Sequence, residues 1–459
     1  MKLTKLLTII LLAATLLSSC GTKATLAPTN APTTAPTQVA TAPASSLEDW
    51  AAKVKAQFAG SELKLAVASH PSIDAFKKMT PEFESLTGIK VTWDVMEEGQ
   101  LADKLLLEAS SGKTDYDIIM SCPEYTPSLV DASFVDSIDE YLNDPAKSPA
   151  WFAPEDIVPA YRDMLSFQEK HYGIPFAGET VFLFYRNDIF QKDGLTVPTT
   201  MDELMATAAA IQQKEPGMAG ISMRVRLGWE FTYMWSVFIF PYGGRMIDPA
   251  TNQPGFDLAG TKASLEYFTS LTQYAPKGIE SFSFPEAWDA FMQGKAGMMV
   301  EASAGAPEVE NPEKSLVAGK VGYAPMPAGP EGAYSGVWGW GFALTSGSKQ
   351  KDAAWDLIVY LTSKAKQAEY VTNGGIPSRS SWLQDPANQA TYPYYQATLD
   401  TLKQAAALQA KGLGVVIMDP RWSQISEIIG TEGAKVLTKE NTVDQALSNM
   451  QSQISDIWK

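Results

Sequence analysis

The residues with the clearest chemical potential are two tryptophans set two apart between glycines. In VWGWGFALT, Trp338 and Trp340 alternate with Gly339 and Gly341 on a predicted strand, so both rings point to the same side. Aromatic rings offer a broad apolar contact surface for a bound molecule. We therefore expect one of the two rings, preferably Trp340, to serve as a stacking platform. The alternative is that both are core aromatics at an interface.

A second set of candidates combines cationic and aromatic side chains. In GISMRVRLGWE, Arg224 and Arg226 are flanked by apolar residues within an acidic protein. A guanidinium group makes charge-assisted, two-pronged hydrogen bonds, so we expect one of these arginines to fork onto paired hydroxyl groups. The alternative is an ion pair with a surface carboxylate. Trp229 follows Gly228 in the same segment and either lines the site or packs beneath the loop.

The chain has no pattern typical of catalysis or of metal binding. Only His70 and His171, and only Cys20 and Cys122, are present, and they form no cluster with metal-ligand spacing. The sequence contains no G-x-S-x-G, no P-loop and no G-x-G-x-x-G. Its formal net charge of −16 repels phosphate, so nucleic acid is not an expected partner. We predict neither a cofactor nor a metal.

The N-terminus is typical of an export signal. Two lysines precede an apolar run from Leu6 to Leu17, which ends in LSSC. LSSC resembles the bacterial lipobox, in which the chain is cut before the cysteine and the cysteine is acylated; the alternative is an ordinary signal peptide. We predict a lipoprotein signal peptide at residues 1–19. Residues 20–60 would then hold the lipidated Cys20 and an Ala/Thr/Pro-rich tether, or an O-glycosylated stalk.

The remaining 400 or so residues are too many for one ordinary core, so two domains are expected. Predicted strands at 62–69, 89–95 and 116–121 alternate with amphipathic helices, which indicates a parallel sheet with right-handed crossovers. Pro81 predicts a kink or a restart in the first of these helices. From Met201 the chain is rich in helices.

Ligands of parallel sheets sit outside the carboxyl ends of the strands. The side chains that follow the three predicted strands include His70, Glu98, Glu124 and Tyr125, so we expect these four to border a binding site. For His70 the alternative is a hydrogen-bonding role within its own loop.

The order of motifs resembles that of bacterial extracellular solute-binding proteins, family 1. YGIPFAGETVFLFYRNDIFQKDGLTVPTTMDEL is similar to a segment of that family, and further matching segments follow in the same order: YGGRMID, FMQGKAGMMVEAS, KVGYAPMPAGPEG, GWGFALTSGSKQKDAAWDLIVYLTS and GGIPSR. The resemblance extends from Glu62 to Lys459. GISMRVRLGWE together with the two tryptophans is similar to a subgroup associated with sugar alcohols and small sugars, although Arg224-Val225 stands where that subgroup has Arg-Gly.

The resemblance implies an α/β, two-lobed periplasmic-binding-protein-like fold with the ligand cleft between the lobes and three inter-lobe crossings. The crossings would lie near residues 172–179, 321–327 and 374–379. Lobe 1 would comprise residues 61–177 with about 322–375, and lobe 2 residues 178–321 with about 376–459.

The same resemblance implies the substrate-binding component of an ABC importer. Such a protein captures a sugar or sugar alcohol and delivers it to the transmembrane permease subunits. A lipid anchor would hold it at the cell envelope, facing the periplasm or the cell exterior. We expect a monomer whose lobes close around the ligand.

Two more site residues follow from the resemblance. Glu179 would emerge at the cleft edge after the first crossing, where it can accept two sugar hydroxyls; the alternative is a solvated hinge carboxylate. Glu301 stands at the position that follows a cleft-side strand in the family. The competing function is a secreted carbohydrate-active enzyme that uses a carboxylate pair as acid and base. No motif of such an enzyme is present, so we do not expect an enzyme.

Overall fold

The computed structural model describes residues 46–459. The predicted signal peptide, Cys20 and residues 21–45 of the predicted tether lie outside the described residues. Across residues 46–459, none of the helices combines the length and the apolar character needed to cross a membrane.

The described chain alternates strands and helices. The strands are β1 (Glu62–Ala68), β2 (Lys90–Met96), β3 (Ile118–Ser121), β4 (Ser166–Phe167), β5 (Lys170–His171), β6 (Ile174–Arg186), β7 (Ala219–Ser222), β8 (Ile247–Asp248), β9 (Gln253–Pro254), β10 (Ala296–Ala302), β11 (Val321–Ala324) and β12 (Val337–Leu344). The helices are α1 (Leu47–Phe58), α2 (Pro71–Thr87), α3 (Glu98–Ser111), α4 (Thr126–Asp131), α5 (Asp139–Asn143), α6 (Pro159–Asp163), α7 (Asn187–Asp193), α8 (Met201–Lys214), α9 (Trp229–Ile239), α10 (Ala259–Leu271), α11 (Phe284–Met292), α12 (Ala306–Val309), α13 (Lys351–Thr362), α14 (Gln367–Thr372), α15 (Ser380–Leu383), α16 (Pro386–Thr391), α17 (Tyr395–Gln409), α18 (Trp422–Leu437) and α19 (Val443–Ile457).

Strand β6 carries the chain from one half of the fold to the other. The strand order is β2-β1-β3-β12-β6-β10-β7, with β11 also paired to β6. Residues 174–180 of β6 pair with β12, whereas residues 181–186 pair with β10 and β11. Strands β1, β2 and β3 pair in parallel, as the sequence predicted. We call the half around β1–β3 and β12 lobe 1, and the half around β7, β10 and β11 lobe 2. The predicted lobe boundaries and the number of crossings stay predictions.

Successive residues of β6 face two different apolar cores. Phe182 and Phe184 belong to a cluster that continues into lobe 1. Val181 and Leu183 belong to a second cluster, which includes the fully buried Trp235 of α9. Because neighbouring side chains of a strand point to opposite faces, a strand covered on both faces has a continuous apolar sequence. This explains the unbroken apolar run that precedes Arg186.

Helix α2 is continuous from Pro71 to Thr87, so it does not restart at Pro81. The alternative that the sequence offered, a kink at Pro81, stays a prediction. A proline within a helix removes one backbone hydrogen bond. Phe76 and Phe83, on either side of Pro81, are both fully buried. Packing of this apolar face against the lobe 1 core therefore holds the two halves of the helix together.

The end of the predicted tether is folded. Residues 47–58 form helix α1, which starts with a capping box at Ser46. Trp50 and Val54 are buried four positions apart, which is the spacing of one helical face. The Trp50 indole N–H donates to Asp356 Oδ1 on α13 at 3.0 Å. Helix α1 is therefore docked on lobe 1.

The contact between α1 and α13 makes the stability of the fold depend on pH. Burial raises the pKa of Asp356 from 3.8 to about 7; Trp50 and Lys147 oppose the shift and Asp352 adds to it. Because the pKa is higher in the folded than in the unfolded state, the protonated carboxyl stabilises the fold. That stabilisation is present below pH 4 and is lost as the pH rises to about 7.

We expect Asp356→Asn to flatten the decline of the melting temperature between pH 4 and pH 7, because the amide does not titrate. Thermal unfolding measured across this range checks the prediction. Asp74→Asn, at an exposed position of α2, is the matched control and should keep the wild-type slope. An Asp356→Asn protein with the same slope as wild type contradicts the assignment.

Candidate functional site

A cavity of about 320 Å³ lies between the two lobes. Helix α3 and the residues after β3 form its lobe 1 wall, and helices α9 and α18 form its lobe 2 wall. The lining residues are Glu98, Gly99, Ala102, Asp103, Leu106, Cys122, Glu124, Tyr125, Trp229, Tyr233, Trp338, Val415, Val416, Trp422, Ser423, Ser426 and Glu427. The cavity borders the carboxyl ends of β2 and β3, where ligands of parallel sheets bind.

A larger cavity, of about 470 Å³, lies beside the β8–β9 hairpin and the loop at residues 412–418. Its one charged lining residue, among those that the structure describes, is Asp163. This cavity is larger than the one between the lobes. We assign the candidate site to the smaller one because it gathers the carboxylates and aromatic rings that can orient a polar ligand.

The two glycine-flanked tryptophans occupy different positions. Trp338 is on the cavity wall, and its ring meets those of Trp340 and Tyr233 edge-on at centroid distances of 4.9 and 6.3 Å. Trp340 is only 2% exposed, does not line the cavity, and contacts the rings of His70 and Tyr125. The structure therefore places Trp338 in front of Trp340. A stacking role for either ring stays a prediction.

Glu124 and Glu98 bring carboxyl groups to the lobe 1 wall. The Trp338 indole N–H donates to both oxygens of Glu124, at 2.6 and 2.7 Å. Burial raises the pKa of Glu124, against the lowering effect of this hydrogen bond. Burial also raises the pKa of Glu98 to about 8; Arg224 opposes the shift, and the carboxylates of Glu124, Glu179 and Glu230 add to it.

Arg224 and Glu301 form a buried ion pair. Arg224 Nε donates to Glu301 Oε2 at 2.8 Å and Nη2 to Oε1 at 2.5 Å, with side-chain exposures of 7% and 0%. Burial tends to lower the pKa of Arg224, but the Glu301 charge and hydrogen bonds outweigh it and raise the pKa. The guanidinium group lies 4.4 Å from the centre of the Tyr233 ring. Arg224 thus forks onto a carboxylate of its own lobe.

Arg226 makes a similar but less buried contact. Its Nη2 donates to Oε1 of Glu230 at 3.0 Å. Burial raises the pKa of Glu230 to about 7; Arg224 and Arg226 oppose this, and Glu301 and Glu286 add to it.

Glu179 and His70 meet at the point where β6 leaves lobe 1. The backbone N–H of Ser72 donates to His70 Nδ1 at 3.1 Å, so Nε2 carries the proton of the neutral ring. Nε2 lies 3.4 Å from Glu179 Oε1. Glu179 is 4% exposed, and its Oε1 makes no hydrogen bond within residues 46–459. His70 therefore caps helix α2 and also faces Glu179.

Of the residues predicted from sequence, five line the cavity: Glu98, Glu124, Tyr125, Trp229 and Trp338. Five others do not line it: His70, Glu179, Arg224, Glu301 and Trp340. In the described part of the chain, no three His, Cys, Asp or Glu side chains converge as a metal site would require.

Sequence reasoning did not single out Tyr233, Trp422 or Glu427, which also line the cavity. Tyr233 follows Trp229 by four residues on α9, and this spacing puts both on one helix face. A search for aromatic pairs at that spacing could have found it. Trp422 and Glu427 lie on α18, and nothing in their local sequence distinguishes them.

Comparison with known proteins identifies similar sequences and similar structures. A sequence model of the family described as "Bacterial extracellular solute-binding protein" matches residues 68–368. The chain is 28% identical over 408 residues to the mannitol-binding protein of Pseudomonas aeruginosa, covering 85% of this chain and 91% of that relative. An ABC transporter solute-binding protein of Agrobacterium radiobacter K84, solved with ribitol, is similar at a TM-score of 0.79 and 26% identity, covering 87% of this chain and 99% of the other. A counterpart from Agrobacterium vitis S4, with bound D-mannitol, has a TM-score of 0.76 and 26% identity, covering 87% and 98%.

Proposed function

Because the chain belongs to the family of bacterial extracellular solute-binding proteins, we propose that it is the substrate-binding component of an ABC importer for a sugar alcohol. The cavity between its lobes holds the ligand, and the permease receives it. The ligand leaves unchanged, so the carboxylates recognise hydroxyl groups and perform no acid or base chemistry.

The observation that carries the proposal is the composition of the cavity wall. Glu98 and Glu124 present carboxyl oxygens, which accept hydrogen bonds from hydroxyl groups, next to the indole ring of Trp338. An alditol offers hydroxyl donors on one edge and weakly apolar C–H groups on the other, so the two surfaces match. A volume of about 320 Å³ suits a small ligand. The ribitol and D-mannitol bound by the two similar structures support the same ligand class.

Both lobes contribute to the wall, so the ligand enters when they separate and is enclosed when they close. The single strand β6 joins the lobes directly and supports a hinge there. Closure of the two lobes and the three predicted inter-lobe crossings are part of this proposal.

Binding can be tested by calorimetry and thermal shift on the purified domain from Ser46, with ribitol, D-mannitol, D-sorbitol and maltose. We expect saturable binding and a higher melting temperature with at least one alditol, and chromatography should recover the ligand unchanged. The absence of binding to every alditol contradicts the proposal. Conversion of the ligand would instead favour the carbohydrate-active enzyme.

We also propose that Cys20 carries a lipid anchor that holds the protein at the outer face of the cytoplasmic membrane or in the periplasm. We expect Cys20→Ala to release the protein from the membrane fraction while sugar-alcohol binding is retained, because the residues that line the cavity all lie between Glu98 and Glu427. Fractionation of cells checks this. Cys122→Ala changes the other cysteine, which is buried, and should leave the protein in the membrane fraction. Membrane association that survives Cys20→Ala contradicts the anchor.

A further inference from the structure

The candidate cavity is acidic and lacks compensating charge. Its lining contains four carboxyl side chains, Glu98, Asp103, Glu124 and Glu427, and among the described residues that line it there is no lysine, arginine or histidine. The nearby guanidinium group of Arg224 is already engaged by both oxygens of Glu301. The cavity therefore has an excess of hydrogen-bond acceptors and of negative charge.

Two further carboxylates close to Glu98 do not line the cavity and are incompletely satisfied. Glu179 and Glu230 are each 4% exposed. In each, one carboxylate oxygen is without a hydrogen-bond partner within residues 46–459, Oε1 in Glu179 and Oε2 in Glu230. Glu179 Oε1 faces Nε2 of His70 at 3.4 Å, and Glu230 is paired with Arg226 through its other oxygen. A buried carboxylate oxygen without a donor is unfavourable, and positive charge in the adjacent cavity lowers that penalty. Burial raises the pKa of Glu98 to about 8, and the nearby charges of Glu124, Glu179 and Glu230 add to the shift. An ammonium group bound beside Glu98 would favour its ionised form.

The rest of the wall is aromatic. Five rings line the cavity together with the carboxyl groups, those of Tyr125, Trp229, Tyr233, Trp338 and Trp422. The faces of such rings attract cations, and the attraction is strongest where water is excluded. A neutral alditol uses the rings and the acceptors but leaves the negative charge uncompensated. An ammonium group packs against the rings, donates hydrogen bonds to the acceptors and compensates the negative charge.

We propose that the preferred ligand is a polyhydroxylated amine, that is, a sugar alcohol or small sugar that carries a protonated amino group. The ammonium group lies against Glu98 and Glu124, next to the ring of Trp338, and the hydroxyl groups occupy the rest of the cavity. The polyhydroxyl part of this ligand rests on the proposed function. The positive charge on the ligand is the new inference.

Pairs of ligands that differ only in one amino group test the proposed charge on the ligand. Glucamine, 1-amino-1-deoxy-D-glucitol, differs from D-sorbitol by one amino group in place of a hydroxyl, and D-glucosamine differs from D-glucose in the same way. We expect the amine of at least one pair to bind at least about tenfold more tightly than its neutral partner in calorimetry at pH 7. For glucamine this preference should shrink as the pH approaches the amine pKa, roughly 10 for an alkylamine, because the ligand then loses its charge.

A carboxylate variant locates the ammonium group. Glu124→Gln should lower the ratio of amine to neutral affinity, because it removes the charge next to Trp338. Asp163→Asn makes the same change of charge in the larger cavity and should leave the ratio at its wild-type value. If Asp163→Asn lowers the ratio as much as Glu124→Gln, the preference is a property of net charge and the proposed location is overturned.

The two proposals fail in different ways. Neutral alditols that bind as tightly as their amines, or more tightly, overturn the charged ligand and leave the sugar-alcohol function intact. A protein that binds neither member of either pair, nor ribitol or D-mannitol, overturns the proposed function and the charged ligand together.

Discussion

Replacing Trp338 with alanine should weaken alditol binding by about 2–4 kcal/mol, the range of aromatic hot spots in binding interfaces. The Trp338 ring forms part of the cavity wall, so its loss leaves the C–H groups of the ligand in contact with water. The indole N–H also holds both oxygens of Glu124, at 2.6 and 2.7 Å. Without it the Glu124 carboxyl is no longer held in place for a ligand hydroxyl.

The measurement is calorimetric affinity for ribitol and D-mannitol, together with the melting temperature of the ligand-free protein. Trp340→Ala is the matched control, because Trp340 lies behind Trp338 and is 2% exposed. Truncation of such a buried ring costs about 3–5 kcal/mol of stability. We therefore expect the larger loss of affinity in Trp338→Ala and the larger loss of stability in Trp340→Ala. The reverse pattern would establish Trp340 as the platform, the preference that the sequence indicated.

Replacing Glu301 with alanine should lower the free energy of unfolding by roughly 3–5 kcal/mol, because it leaves the Arg224 charge buried without a partner. Glu301 is fully buried, and its Oε1 also accepts the backbone N–H of Ala302 at 2.7 Å. Chemical denaturation checks the prediction. In the double variant Arg224→Met/Glu301→Leu, which removes both charges, much of the stability should return.

Glu308→Ala provides the control for an exposed ion pair. Lys314 Nζ lies 2.6 Å from Glu308 Oε1, but the two side chains are 54% and 42% exposed. Exposed pairs contribute about 0–1 kcal/mol, so this change should be small. A Glu301→Ala protein as stable as Glu308→Ala would show that the buried pair is not needed for the fold.

Features set by neighbouring residues could be predicted from the sequence. The capping box of α8 joins Thr200 and Glu203, and its hydrogen bonds span only three residues. The parallel pairing of β1 with β2 and β3 follows from the strand–helix–strand order. That order also places Glu98, Glu124 and Tyr125 at one sheet edge, where they line the cavity. Local periodicity and chain connectivity suffice for all of these.

Only the tertiary structure decided which charged groups have partners. Arg224 and Glu301 are 77 positions apart, and Glu124 and Trp338 are 214 apart. These pairs meet because strands from distant segments become neighbours in the sheet, β7 beside β10 and β3 beside β12. The sequence therefore indicated a group of carboxylates and aromatic rings at the sheet edge. That Arg224 is bound to Glu301, and leaves the cavity acidic, depends on long-range packing, which no local pattern of residues encodes.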